Sequence, residues 1–402
     1  MEMERYAEPF PNQRKDGFPN IMLSYSYDLP NPYPEMDARF LFFDIETTGL
    51  QADASSLYLL GCLFKSSEQT LTLLQWFSNS YPSEPLILQA FSQIARKHPV
   101  PVHYNGTSFD LPYLRKKYQK YNMEFPFGTD SGIDLCRHAR ILKKYLDFPD
   151  CRLKTMEQLS GIQRKDPFDG HELIASYSQY IRGCYLYHRM PEKQKGISSC
   201  LPALLLHNQE DVKNLPQLSV LGLLTGSLPD ECIQITSVST SSGLPNTAPT
   251  VHIFVQIPRF MNFSMETSFL TGTAILSCVP SSKNGCSQLH ISLPSRRMEL
   301  KYFFENYQDY YYLPYEDMAI HKSVGSFVDK NFRRKATREN CYIKKEGFFL
   351  PNLSLSSSRP AILYENFKDK QGYLEVNASL LEDFHFWKEY TNATLKYIFS
   401  RK

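Results

Sequence analysis

The chain lacks the patterns that mark several common classes of protein. Its nine cysteines are scattered, odd in number and without a Cys-x-x-Cys pair, so neither a zinc ribbon nor a disulfide framework is expected. No internal repeat occurs, no window is apolar enough to span a membrane, and the first residues show no apolar core of a signal peptide. These absences predict reduced thiols and a cytoplasmic protein without a membrane partner.

The chain also lacks a strong excess of charge of either sign. Its 44 basic and 42 acidic residues give a formal net charge of +2, so any affinity for nucleic acid must come from a local patch. Aromatic residues are abundant at 14%, and although most are expected in the core, some can supply stacking surfaces. A length of 402 residues exceeds one compact core, so two domains are expected.

The order of predicted elements divides the chain into four segments. Residues 1–37 are rich in Pro, Asn and Tyr, which predicts an extended arm. Strand-like runs followed by helices over 38–225 predict an α/β layer with one mixed sheet. A concentration of Ser, Thr, Gly and Pro makes 226–250 a predicted linker. Alternating β-branched and aromatic runs predict a β-rich α+β accessory domain over 251–402, with a helix around Ala319–Lys335.

The most informative stretch, residues 41–50, reads Leu-Phe-Phe-Asp-Ile-Glu-Thr-Thr-Gly-Leu. Asp44 and Glu46 are two residues apart, so in a strand both side chains lie on one face. Two carboxylates on one face of a buried strand are costly unless a cation neutralises them, and a divalent metal is their usual partner. The alternative is an ordinary strand end with solvated acids.

A second acidic element follows a turn and lies at the start of a predicted helix. Asn105-Gly106 makes the turn, and Thr107 or Ser108 can cap the helix. Asp110 then lies in the first helical turn, where the helix dipole favours a negative charge. A plain N-terminal helix acid is therefore the alternative to a functional carboxylate.

His207 and Asp211 form a third element. They are four residues apart on a predicted helix, so they share one face. Such a pair is commonly a surface salt bridge, but the apolar residues around it argue against a fully solvated face. Another acid, Asp134 in Gly-Ile-Asp-Leu, is predicted to be a strand-end or capping residue rather than a further ligand.

Together these elements resemble the DEDD superfamily of 3′–5′ exonucleases, which has a ribonuclease H-like fold. The resemblance covers about residues 39–224 and is nearest to the bacterial ribonuclease H-like group typified by the YprB protein. It implies a mixed five-stranded sheet flanked by helices. The matching motifs are Phe43-Asp44-Ile45-Glu46-Thr47-Thr48-Gly49, Tyr104-Asn105-Gly106-Thr107-Ser108-Phe109-Asp110, Leu153-Lys154-Thr155-Met156-Glu157, Gly161-Ile162-Gln163-Arg164, Asp169-Gly170 and His207-Asn208-Gln209-Glu210-Asp211.

The resemblance implies two divalent metal ions, Mg²⁺ or Mn²⁺, held by Asp44, Glu46, Asp110 and Asp211. In such sites the ions lie ~3.5–4 Å apart, one activating a water and the other stabilising the leaving 3′ oxygen. His207 would orient or deprotonate that water. The sequence departs from the family at this residue. The family carries a Tyr four residues or a His five residues before its last Asp, whereas here the His is four residues before it.

The strongest local charge lies in the C-terminal half. Residues 322–345 contain eight basic residues against two acidic ones, with aromatic residues nearby. Single-stranded nucleic acid binding requires such phosphate neutralisation beside base stacking. A solvated basic helix beside a β core is the alternative. The predicted nucleic-acid contacts are Lys322, Arg333, Arg334 and Lys335 here, together with Thr47 and Asn105 in the motifs above.

The predicted function is a two-metal-dependent 3′–5′ exonuclease that hydrolyses phosphodiester bonds of single-stranded or 3′-ended DNA or RNA. One alternative is a catalytically weak nucleic-acid-binding protein that retained the fold. Another is a hydrolase of short oligonucleotides or nucleotide second messengers. The sequence leaves the choice between DNA and RNA, and the oligomeric state, open.

Overall fold

A computed structural model describes residues 22–129, 132–168, 170–189, 200–241, 248–281, 285–353, 355 and 361–400. The chain divides into two compact units. The first comprises Met1–Cys232, Pro258–Met261 and Pro280–Cys286, and the second comprises Ile233–Ile257, Asn262–Val279 and Ser287–Lys402. Among the described helices, none is both long and apolar enough to cross a membrane.

The described residues of the first unit form six strands and eight α-helices. The strands are β1 (Met22–Pro30), β2 (Phe40–Thr47), β3 (Leu57–Lys65), β4 (Thr70–Ser78), β5 (Val100–His103) and β6 (Ile133–Asp134). The helices are α1 (Glu84–Ala95), α2 (Asp110–Lys120), α3 (Leu135–Leu142), α4 (Leu153–Leu159), α5 (Gly170–Arg189), α6 (Cys200–Lys213), α7 (Leu215–Leu218) and α8 (Val220–Leu224).

The sheet of this unit is mixed, which confirms the predicted fold class. Its strand order is β1-β4-β3-β2-β5-β6. The pairs β1–β4, β4–β3 and β3–β2 are antiparallel, whereas β5 pairs parallel to both β2 and β6. The sixth strand, β1, comes from the segment 1–37, for which the sequence predicts an extended arm. Residues 1–21 of that arm lie outside the described part of the chain. Strand β1 pairs with the whole of β4, so the backbone N–H and C=O groups on that edge of β4 are hydrogen-bonded.

Strand β2 is covered on both of its faces. Leu41, Phe43 and Ile45 belong to an apolar cluster that also contains side chains of α1 and α2. The alternate residues of β2 face α6, whose Asn208 donates a hydrogen bond to Asp44. Because side chains alternate along a strand, the apolar face fixes the register and turns the acids of β2 toward α6.

The second unit is rich in strands. In its described residues the strands are β7 (Gln234–Ser241), β8 (Thr250–Pro258), β9 (Phe263–Phe269), β10 (Gly272–Pro280), β11 (Cys286–Pro294), β12 (Arg296–Phe303), β13 (Tyr310–Leu313), β14 (Met318–His321), β15 (Arg334–Lys335), β16 (Tyr342–Pro351), β17 (Ile362–Leu363) and β18 (Tyr373–Glu375). The helices are α9 (Lys322–Gly325), α10 (Ala378–Leu381) and α11 (Phe384–Phe399). Three sheets result, with orders β7-β8-β11-β10-β9, β12-β16-β18-β17 and β14-β13-β15.

Two expectations for this half differ from the structure. The predicted linker 226–250 contains β7, which pairs with β8 along the edge of the five-stranded sheet. The predicted helix at Ala319–Lys335 is wrong, because β14 and β15 pair with the two sides of β13 and only α9 lies between them as an α-helix. Strand pairing with the tyrosine-rich β13 outweighs the local helical pattern.

Candidate active site

Strand β2 brings the first two acids to the surface of α6. Asp44 accepts a hydrogen bond from the Asn208 amide at 3.1 Å, and Gln75 on β4 holds the Asn208 oxygen at 2.9 Å. Gly61 lies opposite Asp44 on β3, and a Cβ there would come within 2.2 Å of that oxygen. Gly61 therefore leaves the room that lets Asn208 reach and orient the Asp44 carboxylate.

Helix α6 supplies the next pair. His207 and Asp211 share one face, with His207 Nε2 at 3.3 Å from Asp211 Oδ2 and 3.7 Å from Glu46 Oε1. One ligand atom from each of these three side chains lies within 4.8 Å of the others, a spacing that could hold a metal ion. The structure thus brings together one acid of β2 with the histidine and the acid predicted on a helix face.

Asp110 is the first residue of α2 and is buried. Burial raises the pKa of Asp110 to about 7, an effect partly offset by hydrogen bonds from the backbone of Asp110 itself and of Ile45. The charges of Asp134 and Asp211 contribute to this rise. The predicted capping by Thr107 or Ser108 is wrong, since Phe109 precedes the helix without a side-chain cap.

The four acids act on one another electrostatically. Burial raises the pKa of Asp44, and the charges of Asp211, Asp110 and Glu46 raise it further, in that order. Burial also raises the pKa of Glu46 to about 8, with Asp211 and Asp110 adding to the rise and His207 opposing it. Buried like charges of this kind are relieved by a bound cation, and carboxylate oxygens suit Mg²⁺ or Mn²⁺. The donor set therefore fits a divalent metal centre.

Asp166 orients His207. Its carboxylate lies 2.6 Å from His207 Nδ1, which leaves Nε2 directed at Glu46 and Asp211. Burial lowers the pKa of His207, but Asp211, Glu46 and Asp166 together raise it to about 9. Without a metal ion the imidazole is therefore protonated at neutral pH, and it can accept a proton only when a cation offsets the neighbouring carboxylates.

Arg164, like Asp166, is a residue of the site for which the sequence predicts no role. Its guanidinium lies 2.5 Å from Asp211 Oδ1, 3.1 Å from Glu157 and 3.3 Å from Asp166. Burial raises the pKa of Asp211, but His207 and Arg164 together hold it below its ordinary value. Arg164 and Glu157 lie within motifs that match the exonuclease family, and those motifs could have indicated them. Asp166 lies in none of these motifs.

The remaining predicted residues have local roles in the structure. Thr47 donates to the Gly49 carbonyl at 2.9 Å, and Asn105 has a positive φ of 63° and accepts a hydrogen bond from Arg140. Asp134 caps α3 through the backbone of residues 136 and 137, which confirms its predicted capping role. Residue 169 of the matching motif lies outside the described residues. The residues Lys322, Arg333, Arg334 and Lys335 belong to the second unit.

Residues 41–221 match the RNase_H_2 family model of the RNase_H superfamily. The mixed sheet and helices of this part of the chain have a ribonuclease H-like fold. A DNA polymerase from Pyrococcus glycovorans is 30% identical over 104 residues, which are 24% of this chain and 13% of the polymerase.

Solved structures titled "Exonuclease I (apo)" and "ExoI/SSB-Ct complex" are 16% and 13% identical, each with a TM-score of 0.25. They cover 54% and 59% of this chain. The matched parts are 56% and 55% of those two chains, so this chain spans little more than half of each.

Proposed function

We propose that residues 38–225 form a metal-dependent 3′–5′ exonuclease that hydrolyses single-stranded or 3′-ended DNA or RNA. The observation that carries this proposal is the convergence of Asp44, Glu46, Asp110 and Asp211 beside His207. The match to the RNase_H superfamily and to a DNA polymerase supports a nucleic-acid substrate. Membership of the YprB-type group and a cytoplasmic location stay predictions.

The four carboxylates would hold two Mg²⁺ or Mn²⁺ ions. When bound, such ions polarise the phosphodiester and stabilise the attacking and leaving oxygens. The protein groups around them hold the ligands in place: Asn208 fixes Asp44, and the backbone N–H of Ile45 fixes Asp110. Preformed ligand positions reduce the ordering that metal binding would otherwise require.

His207 would receive the proton of the attacking water at Nε2. Asp166 accepts the hydrogen bond from Nδ1 and so keeps the opposite nitrogen directed at Glu46 and Asp211. On α6 the spacing of four residues between His207 and Asp211 keeps both side chains at one edge of the site. The arrangement supports the predicted role despite the departure from the family spacing.

The direction and metal dependence can be tested with end-labelled oligonucleotides. With Mn²⁺ or Mg²⁺, a 5′-labelled single strand should give a ladder that shortens from the 3′ end. A 3′-labelled strand should release the labelled nucleotide in the first step. EDTA should stop both reactions. Internal cleavage products, release of the 5′ nucleotide first, or unchanged activity in EDTA would contradict the proposal.

One observation favours a nucleic-acid-binding protein with weak catalysis as the alternative. The Arg164 guanidinium is bound to Asp211 Oδ1 and so competes with a metal ion for that oxygen. Under this alternative the same oligonucleotides would bind in EDTA but remain uncut with either ion. Strong metal-dependent hydrolysis would exclude it.

Metal binding should release protons and should tighten as the pH rises from 6 to 8. The pKa values of Glu46, about 8, and Asp110, about 7, mean that both carboxyls hold protons at pH 6 in the metal-free protein. A ligand must lose its proton before it binds the ion, so affinity for Mn²⁺ should increase more than about tenfold over this range. Calorimetry in two buffers of different ionisation enthalpy measures both affinity and proton release.

The same titration at pH 9 is the comparison, because Glu46 and Asp110 are then mostly ionised and their share of the proton release should be small, whereas His207 and Asp44 still hold protons that the ion can displace. Equal affinity at pH 6 and pH 8, without proton release at pH 6, would show that these carboxyls do not bind the ion.

A further inference from the structure

The three-stranded sheet of the second unit has one buried and one outward face. Tyr310 and Tyr312 of β13 pack in a small core with Ala319 and Cys341. Tyr311, between them, therefore points to the opposite face. Lys335 pairs with Tyr311 across the strands and so shares that outer face.

Two cations already stack on Tyr311. The guanidinium of Arg333 lies 4.5 Å and the ammonium of Lys322 lies 5.7 Å from the centre of its ring. Gly325 lets α9, which begins at Lys322, lie close to Tyr311, because a Cβ at this position would come within 3.0 Å of the Tyr311 ring. The basic side chains are therefore anchored in a fixed arrangement rather than spread over a solvated helix.

Large aromatic side chains beside this sheet are left in solvent. Phe327 is 90% exposed, Tyr315 is 80% exposed and Phe332 is 50% exposed. The rings of Tyr315 and Phe332 lie 5.7 Å apart at an angle of 57°. An exposed pair of rings, with a third exposed ring in the same segment of the chain, is typical of an interaction site.

The basic residues of this region differ in their partners. Lys344 and Lys345 are neutralised by Asp317 and Glu375, at 2.6 Å each. In contrast, Lys322, Arg334 and Lys335 are exposed and form no ion pair with a carboxylate among the described residues. Their charges remain available to an anionic partner.

We infer that this surface binds single-stranded nucleic acid. We call it the basic–aromatic surface and define it by Tyr315, Phe327, Phe332, Lys322 and Lys335. Separate rings interleaved with unpaired cations match a strand in which stackable bases alternate with phosphates. A duplex hides its bases, and a membrane would call for one continuous apolar face. The inference rests on the proposed function for the identity of the substrate, and it adds a binding site outside the catalytic residues.

Binding of the full chain to a fluorescein-labelled thymidine oligonucleotide, measured by anisotropy in EDTA, tests the inference. EDTA separates binding from hydrolysis, so failure of the catalytic proposal leaves the result readable. Phe327→Ala should weaken binding about tenfold through loss of one stacked base. Lys322→Ala/Lys335→Ala should lower the slope of log affinity against log salt by ~1.4, the value for two lost phosphate contacts on a single strand.

The matched control is Arg297→Ala/Lys368→Ala. It also removes two charges from exposed side chains of the second unit, but these pair with Glu346 and Glu339. It should leave affinity within about twofold of wild type. A uridine oligonucleotide compares RNA with DNA, and duplex DNA should bind without sensitivity to Phe327→Ala.

Wild-type affinity and salt slope in both surface variants would overturn the inference. So would absence of binding by the wild type, or an equal loss in the control. If the wild type binds phosphatidylserine vesicles, and the surface variants lose this binding but still bind the oligonucleotide, the surface would be assigned to a membrane instead. Circular dichroism melting curves must match among the variants, and Phe327, Lys322 and Lys335 are exposed enough for this to be expected.

Discussion

Asp44→Asn should abolish hydrolysis and at the same time stabilise the metal-free protein. The variant loses a carboxylate that would hold a metal ion, and an ion contributes several kcal/mol of transition-state stabilisation. A loss of about 4 kcal/mol corresponds to about a 10³-fold slower reaction. Single-turnover cleavage of a 5′-labelled oligonucleotide, with enzyme in excess and saturating Mn²⁺, measures this effect.

The expected gain in stability follows from the electrostatics of the site. Burial and the charges of Asp211, Asp110 and Glu46 raise the pKa of Asp44, so folding favours its neutral form. A carboxyl with a raised pKa in the folded state contributes stability that is lost as the pH rises. Asparagine is neutral at every pH, so the advantage of Asp44→Asn in EDTA should grow between pH 5 and pH 8.

Addition of Mn²⁺ should reverse the order of stability, because the wild type then binds the ion more tightly than the variant does. Asp53→Asn is the matched control, since Asp53 is exposed and pairs only loosely with Lys116 at 3.5 Å. It should change neither the rate nor the melting temperature. A metal-free Asp44→Asn protein that melts below the wild type, or that retains its cleavage rate, would contradict the assignment of Asp44.

The main features of the first unit could be predicted because they depend on local periodicity. The apolar alternation of Leu41, Phe43 and Ile45 fixes β2, and with it the common face of Asp44 and Glu46. The helical spacing of His207 and Asp211 likewise fixes their common face. A pattern within one element determines which side chains share a face, and the resemblance to a family then indicates which faces meet.

Residues that act across irregular backbone could not be predicted in this way. Asp166 and Arg164 lie between α4 and α5, in a segment without the periodicity of a helix or strand that would indicate where a side chain points. Their roles depend on contacts with α6. Strand β1 was missed because its partners on β4 lie forty or more residues away along the chain. Strand β15 was missed for the same reason, since it pairs with β13 more than twenty residues before it. In each case long-range contacts determine the structure, and a local pattern cannot report them.

Arg164→Met should destabilise the first unit by about 3–5 kcal/mol, the usual cost of removing one partner from a buried ionic network. The arginine side chain is 8% exposed, and it contacts Glu157 and Asp166, whose side chains are 1% and 0% exposed. Nε also lies 3.7 Å from Glu210. Methionine fills a similar volume but leaves these carboxylates without a cation.

Unfolding of the first unit can be followed separately through its tryptophan. The chain has two tryptophans, of which Trp76 lies buried in the first unit and Trp387 lies in the second. In a Trp387→Phe background, Trp76 fluorescence during urea unfolding reports the first unit alone. The free energy of unfolding of Arg164→Met is then compared with that of the same background without the substitution.

Two further variants determine the cause of the loss. Arg96→Ala removes an exposed arginine that pairs with Glu124 at 3.3 Å, and should cost less than about 1 kcal/mol. Arg164→Lys keeps the charge but not the planar guanidinium, so its free energy of unfolding should lie between those of Arg164→Met and the wild type. The loss in Arg164→Met should also shrink at pH 5, because burial raises the pKa of Glu157, and without the arginine this carboxyl takes up a proton there. A loss equal to that of Arg96→Ala, or one independent of pH, would show that Arg164 does not neutralise this cluster of acids.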